Sequence, residues 1–147
     1  MTLRELGPAL AKLPRVCTRR VLFAEIDKMN LVYGSHYLTW FEHGRTEYLR
    51  LCGLPYTEIE ERGVMLPVFE SHAWHIAPIG YDDLVEIRAA ITECTGASAT
   101  FLFVLEVGGK RVGAGYTKHA CLGPDRRPTR MPDWLRDAVL DRYDIGI

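Results

Sequence analysis

The sequence predicts an α+β domain in which an antiparallel sheet wraps around one long helix. Three features lead to this prediction. One amphipathic helix comes early in the chain, and a series of alternating apolar and polar strands follows it. A glycine also lies in the middle of the helix's apolar stripe. Consecutive strands after a single helix are typical of α+β architecture with an antiparallel sheet.

The long helix is predicted from Ser35 to Cys52. Its apolar residues recur at three- and four-residue steps, so they share one face. They are Tyr37, Trp40, Phe41, Gly44, Tyr48, Leu51 and Cys52. Ser35 suits the N-cap, and Gly53 suits the position after the helix end. Glycine inside a helix costs about 1 kcal/mol relative to alanine, so Gly44 predicts a close approach by the surrounding sheet.

The strands are predicted from their alternation of apolar and polar residues. They span Arg15–Ala24, Val68–Ala77, Leu84–Cys94, Ser98–Val107 and Arg111–Leu122. The last four are expected to form a meander, with Gly108 and Gly109 as a two-residue hairpin turn. A short helix is expected to begin at Pro132. One long helix cannot cover the far face of such a sheet, so we expect a homodimer or homotetramer.

Composition narrows the class of protein. The chain has 147 residues, which suits a single domain, 1–147. Its 18 basic and 19 acidic residues leave a net charge of −1, which argues against a nucleic-acid partner. Four cysteines without a CxxC pair favour reduced thiols and a cytoplasmic location. No apolar run is long enough for a membrane span. His72 and His75 would face opposite sides of a strand, so no metal site is predicted.

The segment from Phe23 to Tyr37 contains the candidate catalytic residues. It joins a strand to the start of the long helix and contains Asp27. The free N–H groups and positive end of a helix can hold an oxyanion. A nearby carboxylate can act as a nucleophile or as a general base for water. Acyl transfer requires these two parts, although spacing alone favours an ordinary loop residue at Asp27.

Further motifs resemble the 4-hydroxybenzoyl-CoA thioesterase family of hotdog proteins. The resemblance runs from about Val16 to Trp134. Its strongest part is Asp27 followed by Val32-Tyr33, Tyr37 and the helix signature Trp40-Phe41-Glu42. Other matching positions are Arg45, Leu49, Gly53-Leu54, Gly63-Val64, Leu66-Pro67-Val68, Pro78, Tyr81-Asp82-Asp83, Gly96-Ala97-Ser98, Gly113 and Thr117-Lys118-His119.

The resemblance implies a hotdog fold and hydrolysis of an acyl-CoA thioester. The acyl group would be aromatic or a short to medium aliphatic chain. In such enzymes the aspartate, here Asp27, attacks the carbonyl or activates water. A backbone N–H at the helix start, here that of Gly34, polarises the carbonyl oxygen. Coenzyme A is part of the substrate, so no separate cofactor is expected, and active sites are expected between subunits.

Three departures from the family pattern refine this expectation. The first is Gly34, which stands where relatives often have histidine or tyrosine; close to it, His36 stands where they often have asparagine. The second is Asn30, which replaces a glycine, and we expect it to keep a positive φ because asparagine tolerates that conformation. The remaining substrate-binding candidates are Val32, Tyr33, Ser98 and Lys118.

The third departure concerns the donor of the acyl group. The stretch Thr95-Gly96-Ala97 is uncharged where relatives carry basic residues for the phosphates of coenzyme A. Lys118, Arg126 or Arg127 would have to replace them. The donor could therefore be an acyl carrier protein. A second alternative also stays open: since Gly34 lacks the histidine of many relatives, the domain could bind acyl-CoA without hydrolysing it.

Overall fold

The computed structural model describes residues 1–144. In chain order the elements are α1 (Leu3–Leu10), β1 (Arg15–Arg20), a 3₁₀ turn (Phe23–Glu25), α2 (His36–Leu51), α3 (Tyr56–Glu61), β2 (Val68–His75), β3 (Leu84–Thr95), β4 (Ser98–Val107), β5 (Lys110–Ala120) and α4 (Asp133–Asp144). No helix within the described residues is long and apolar enough to cross a membrane.

The sheet has five strands, all paired antiparallel, in the order β1-β3-β4-β5-β2. The predicted α+β class is therefore confirmed, but the four-strand meander is wrong. Only β3, β4 and β5 follow one another through hairpins. β2 pairs with β5 instead of β3, because the chain between β2 and β3 crosses to the opposite side of the sheet. This leaves one side of β2 as an edge of the sheet.

Helix α2 lies against the inner face of the sheet, as the mid-helix glycine predicted. A Cβ at Gly44 would lie 2.8 Å from Ile87 Cγ2, so only glycine fits without movement. Two glycines of β5 also make room for the helix. A Cβ at Gly113 would lie 3.1 Å from Tyr37, and one at Gly115 would lie 2.4 Å from Phe41. These three glycines therefore allow α2 to pack close to the sheet.

The ends of α2 agree with the prediction within one residue. Ser35 occupies the N-cap position but makes no side-chain capping hydrogen bond. Its backbone is already in the αR region, so the predicted capping role of its side chain is not used. Gly53 follows the helix with a φ of 80°, which is the left-handed conformation expected after a helix end.

Part of the far face is covered within the chain, contrary to the expectation of a bare face. Leu102 and Val104 point away from α2 yet are buried, and α1 packs against their strand, β4. Helix α1 was not predicted, although Thr2 and Glu5 form a capping box at its start. The spacing of those two residues is the sequence signal that could have found it.

Candidate functional site

Asp27 lies in a tight turn between the 3₁₀ turn and α2. Its Oδ1 accepts hydrogen bonds from the N–H groups of Met29 at 2.8 Å and Leu31 at 3.3 Å. The backbones of Asp27 and Leu31 are also joined, at 2.8 Å. Asn30 closes the turn with a φ of 63°, which confirms the predicted conformation. Oδ1 is therefore fixed by the loop, and Oδ2 accepts no hydrogen bond from any described residue.

Gly34 lies at the start of α2 and is exposed. Within residues 1–144, neither its N–H nor that of Ser35 donates a hydrogen bond. The first turn of α2 also carries no acidic side chain that could compete for these donors. A helix of 16 residues places partial positive charge at this end. The arrangement can therefore stabilise a negatively charged oxygen.

A buried carboxylate, Glu25, organises the segment that precedes Asp27. Glu25 is only 5% exposed. Its Oε2 accepts hydrogen bonds from Arg19 Nη2 at 2.8 Å and Trp40 Nε1 at 3.0 Å, and its Oε1 accepts from Leu22 N–H at 2.8 Å. These contacts join the end of β1, the 3₁₀ turn and α2. Neither composition nor spacing had pointed to this residue.

The backbone of Glu25 reaches the other half of the site. Its carbonyl accepts a hydrogen bond from Tyr33 N–H at 2.9 Å, immediately before Gly34. Burial by itself would raise the pKa of Glu25, but its hydrogen bonds and the charge of Arg19 lower it below the ordinary value of 4.5. Glu25 is thus an ionised anchor located between Asp27 and the helix start.

A cavity of about 250 Å³ is lined in part by Tyr37 and by His75, the residue that packs against Gly34. Its walls come from the Asp27 turn, the first turn of α2 and the chain that follows β2. The lining residues are Leu31, Val32, Tyr37, His75, Ile76, Ala77, Pro78 and Ile79. The residues from His75 onwards were not among the predicted site residues, because only long-range strand pairing brings them here.

Of the predicted substrate-binding residues near Asp27, Val32 lines this cavity. Val32 is buried, and its N–H bonds the carbonyl of Ile79 at 2.9 Å. Asn30 is exposed on the outside of the turn. Tyr33 is 58% exposed, and its ring meets that of His36 edge-on at 6.4 Å. Their role in binding substrate stays a prediction.

Ser98 and Lys118 are not brought to Asp27 within one chain. The Asp27 segment adjoins the beginning of β3, where Val21 pairs with Asp83. Ser98 pairs with Thr95 at the other end of β3, about 35 Å away along the strand. Lys118 lies on the outer face and forms a 2.9 Å ion pair with Glu70. Within one chain the direction of β3 therefore keeps Ser98 away from Asp27, and Lys118 lies on the face of the sheet that points away from α2.

A second cavity lies farther along α2, between the helix and β5. Its lining includes Glu42, Arg45, Tyr56 and His119, with a volume of about 80 Å³. The ion pair along α2 joins Glu47 and Arg50 at 3.4 Å. Arg45 forms no ion pair or hydrogen bond with any described residue. Burial lowers the pKa of Arg45, although the charge of Glu42 acts in the opposite direction.

His119 is a buried neutral histidine that lines this second cavity. Its Nδ1 bonds the carbonyl of Leu66, and its Nε2 bonds the hydroxyl of Thr117, both at 2.8 Å. A carbonyl only accepts, so Nδ1 carries the proton and Thr117 donates to Nε2. Burial lowers the pKa of His119 to about 4.

Acidification is expected to destabilise the protein through His119. Between its unfolded pKa of 6.5 and its folded pKa of about 4, the unfolded chain binds the additional proton, so stability falls as pH decreases. From pH 7 to pH 5 the loss is about 1–2 kcal/mol. Urea unfolding at the two pH values measures it. His119→Gln should flatten this dependence, and an unchanged slope in that variant would contradict the assignment.

Comparison with known proteins identifies the family. Residues 21–139 match the thioesterase-like superfamily. A protein of Aquifex aeolicus named "Putative esterase" is 27% identical over 129 residues, covering 88% of this chain and 100% of that one. The "Putative acyl-CoA thioesterase YneP" of Bacillus subtilis is 27% identical over 120 residues, covering 78% and 87%. The crystal structure of hypothetical protein TT1821 from Thermus thermophilus has a TM-score of 0.81 and 32% identity, covering 85% and 96%.

The fold and the matched residues define a hotdog-fold thioesterase. The chain belongs to the thioesterase-like superfamily. The predictions of a hotdog fold and of a thioesterase enzyme are both confirmed at this level.

Proposed function

We propose that the protein hydrolyses acyl-CoA thioesters to a free acid and coenzyme A, in the manner of the 4-hydroxybenzoyl-CoA thioesterases. Asp27 acts as nucleophile or as general base. In the general-base route, Asp27 takes a proton from water as the water oxygen bonds to the carbonyl carbon. The tetrahedral intermediate then collapses, the carbon–sulfur bond breaks, and the leaving thiolate takes up the proton. The Gly34 N–H holds the negative oxygen during this step.

One observation carries this proposal. A carboxylate with one oxygen fixed by backbone N–H groups precedes a helix start whose own N–H groups are unpartnered among the described residues. Asp27 supplies the first part and Gly34 the second. An ordinary loop aspartate would not require the helix end to stay open. The relative from B. subtilis, by its name, acts on acyl-CoA, and this supports the choice of donor.

The acyl group is proposed to enter the cavity lined by Tyr37 and His75. Val32 forms part of its wall. We propose that Tyr33, His36 and Asn30, which are near Val32 in the chain, contact the substrate at its entrance. The wall is apolar except for Tyr37 and His75. Such a wall suits an aromatic ring or a short to medium aliphatic chain, because burying apolar surface is favourable.

Ser98 and Lys118 are proposed to contact coenzyme A across a subunit boundary. Strand β2 is an edge of the sheet, and it carries Phe69 with 61% of its surface exposed. An exposed apolar edge strand favours pairing with a second chain. We therefore infer a homodimer or homotetramer, in which the hairpin of one chain can approach the Asp27 turn of another.

Thiol release from a panel of aromatic and aliphatic acyl-CoA thioesters tests the function. We expect release well above background for at least one aromatic or short to medium aliphatic acyl group. Coenzyme A release is followed with a thiol-reactive chromophore. Acyl-CoA that binds without releasing thiol would contradict hydrolysis and favour the non-hydrolytic alternative.

The uncharged Thr95-Gly96-Ala97 turn favours a second candidate, hydrolysis of acyl carrier protein thioesters. The same acyl group should be presented on coenzyme A and on a carrier protein. A higher kcat/KM for coenzyme A supports the main proposal. A higher kcat/KM for the carrier protein would replace it with the second candidate.

A further inference from the structure

The imidazole of His75 packs directly against Gly34. A Cβ placed on Gly34 would lie 3.4 Å from His75 Cε1 and 3.8 Å from Nε2. The ring therefore lies beside the space that a side chain at position 34 would enter. It comes from the end of β2, so it reaches the helix start from a separate element.

Two contacts determine where this ring lies. His75 pairs with Gly113 across the sheet, so its side chain points to the inner face toward α2. There it contacts Tyr37, with ring centroids 4.2 Å apart. Tyr37 is itself buried and occupies the space that the missing side chain of Gly113 leaves open. The imidazole is thus oriented by the pairing of β2 with β5 and by packing against the Tyr37 ring, and not by a hydrogen bond.

The ring nitrogens of His75 are available for a ligand. Neither forms a hydrogen bond with any residue that the structure describes, and the side chain is exposed. Nearby, the N–H groups of Gly34 and Ser35 are also unpartnered among the described residues. His75 lines the same cavity as Leu31, whose backbone holds the Asp27 carboxylate. His75 therefore brings two unpaired ring nitrogens to the cavity wall and lies against Gly34, which carries an unpartnered N–H.

We propose that His75 is a further catalytic residue, which donates a hydrogen bond to the thioester carbonyl oxygen alongside the Gly34 N–H. This inference rests on the proposed function, because it takes the reacting carbonyl to lie at Gly34. An oxygen bonded to that N–H sits about 2.9 Å from the nitrogen, and His75 Nε2 lies 3.8 Å from the position of a Cβ on the same residue. A neutral imidazole carries one N–H donor. Two preorganised donors stabilise the developing oxyanion more than one does.

Replacement of His75 by phenylalanine tests the role, since the ring shape is kept and both nitrogens are lost. We expect kcat to fall about 100-fold, with KM changed less than about threefold. His75→Gln retains a donor and should keep kcat within about tenfold of the parent. His72→Phe is the matched control. It lies on the same strand but faces the outer side, where it stacks on Tyr116, so kcat should stay at the parental value.

A spectroscopic measurement separates this inference from the proposed function. An acyl-CoA analogue with a methylene in place of sulfur presents a ¹³C-labelled ketone that cannot be hydrolysed. Binding to the parent should move the carbonyl signal downfield, and binding to His75→Phe should move it less. A parental kcat and an equal carbonyl shift in His75→Phe would overturn the role of His75.

If Asp27→Asn were fully active while the shift still depended on His75, the proposed mechanism would fail and the carbonyl contact would stand. Should His75→Phe not fold, His75→Val provides the same loss of donor in a strand-forming residue.

Discussion

Asp27→Asn is expected to lower kcat for the best acyl-CoA substrate by about 10²- to 10⁴-fold. The asparagine oxygen can still accept the hydrogen bonds from Met29 and Leu31, so the turn should keep its shape. What is lost is the charged oxygen that attacks the carbonyl or takes a proton from water. KM should change little, because the carboxylate acts mainly in the transition state. Steady-state thiol release measures both constants.

Asp82→Asn is a matched control for this variant. Asp82 also lies in a turn at the same end of the sheet, with a φ of 67° that asparagine tolerates. Its carboxylate is exposed and lies 3.9 Å from Arg20, so the control removes one negative charge without touching the cavity. Parental activity in both variants would show that Asp27 does not carry the reaction.

Glu25→Ala is expected to have the largest effect on stability. It removes one partner of a buried ion pair and leaves the Arg19 guanidinium and the Trp40 N–H without their acceptor. Breaking a buried pair in this way costs about 3–5 kcal/mol, which corresponds to a decrease in Tm of about 10 °C or more. Thermal unfolding followed by circular dichroism measures the change. Asp27 and Tyr33 flank this anchor, so activity should fall as well.

The pH dependence gives a separate check on Glu25. Its folded-state pKa is lowered, so its contribution to stability is present above pH 4.5 and is lost as the pH falls through the folded pKa. The stability difference between the parent and Glu25→Ala should therefore shrink in acid. Glu58→Ala is the control, since it removes an exposed ion pair with Arg62 and should cost less than about 0.5 kcal/mol. Equal losses from the two variants at neutral pH would contradict the role of Glu25.

Local patterns were sufficient to predict most elements of the fold. The apolar stripe of α2 and the alternation in β3 and β4 are repeats of period 3.6 and 2, which adjacent residues alone establish. The positive φ of Asn30 and the close packing at Gly44 were also predictable from the residue type at each position. Each has a backbone or steric requirement that few residue types meet. The helix α1 was missed although its capping box was present, because its apolar pattern is short and Pro8 interrupts it.

The arrangement of the site depended on long-range pairing. Strand β2 follows α2 and α3 in the chain but pairs with β5, and this pairing brings His75 to Gly34. The separation of Ser98 from Asp27 likewise follows from the direction of β3. Strand alternation indicates which face a residue occupies, but it does not indicate which strand lies beside it.

Periodicity and residue-specific backbone preferences therefore predict the class of the fold, the inner face of α2 and the turn that holds Asp27. The roles of Glu25 as the anchor between Asp27 and Gly34 and of His75 beside the open helix start are visible only in the folded chain. Both depend on contacts between residues far apart in sequence, and such contacts form only where strand register and helix packing bring the side chains together.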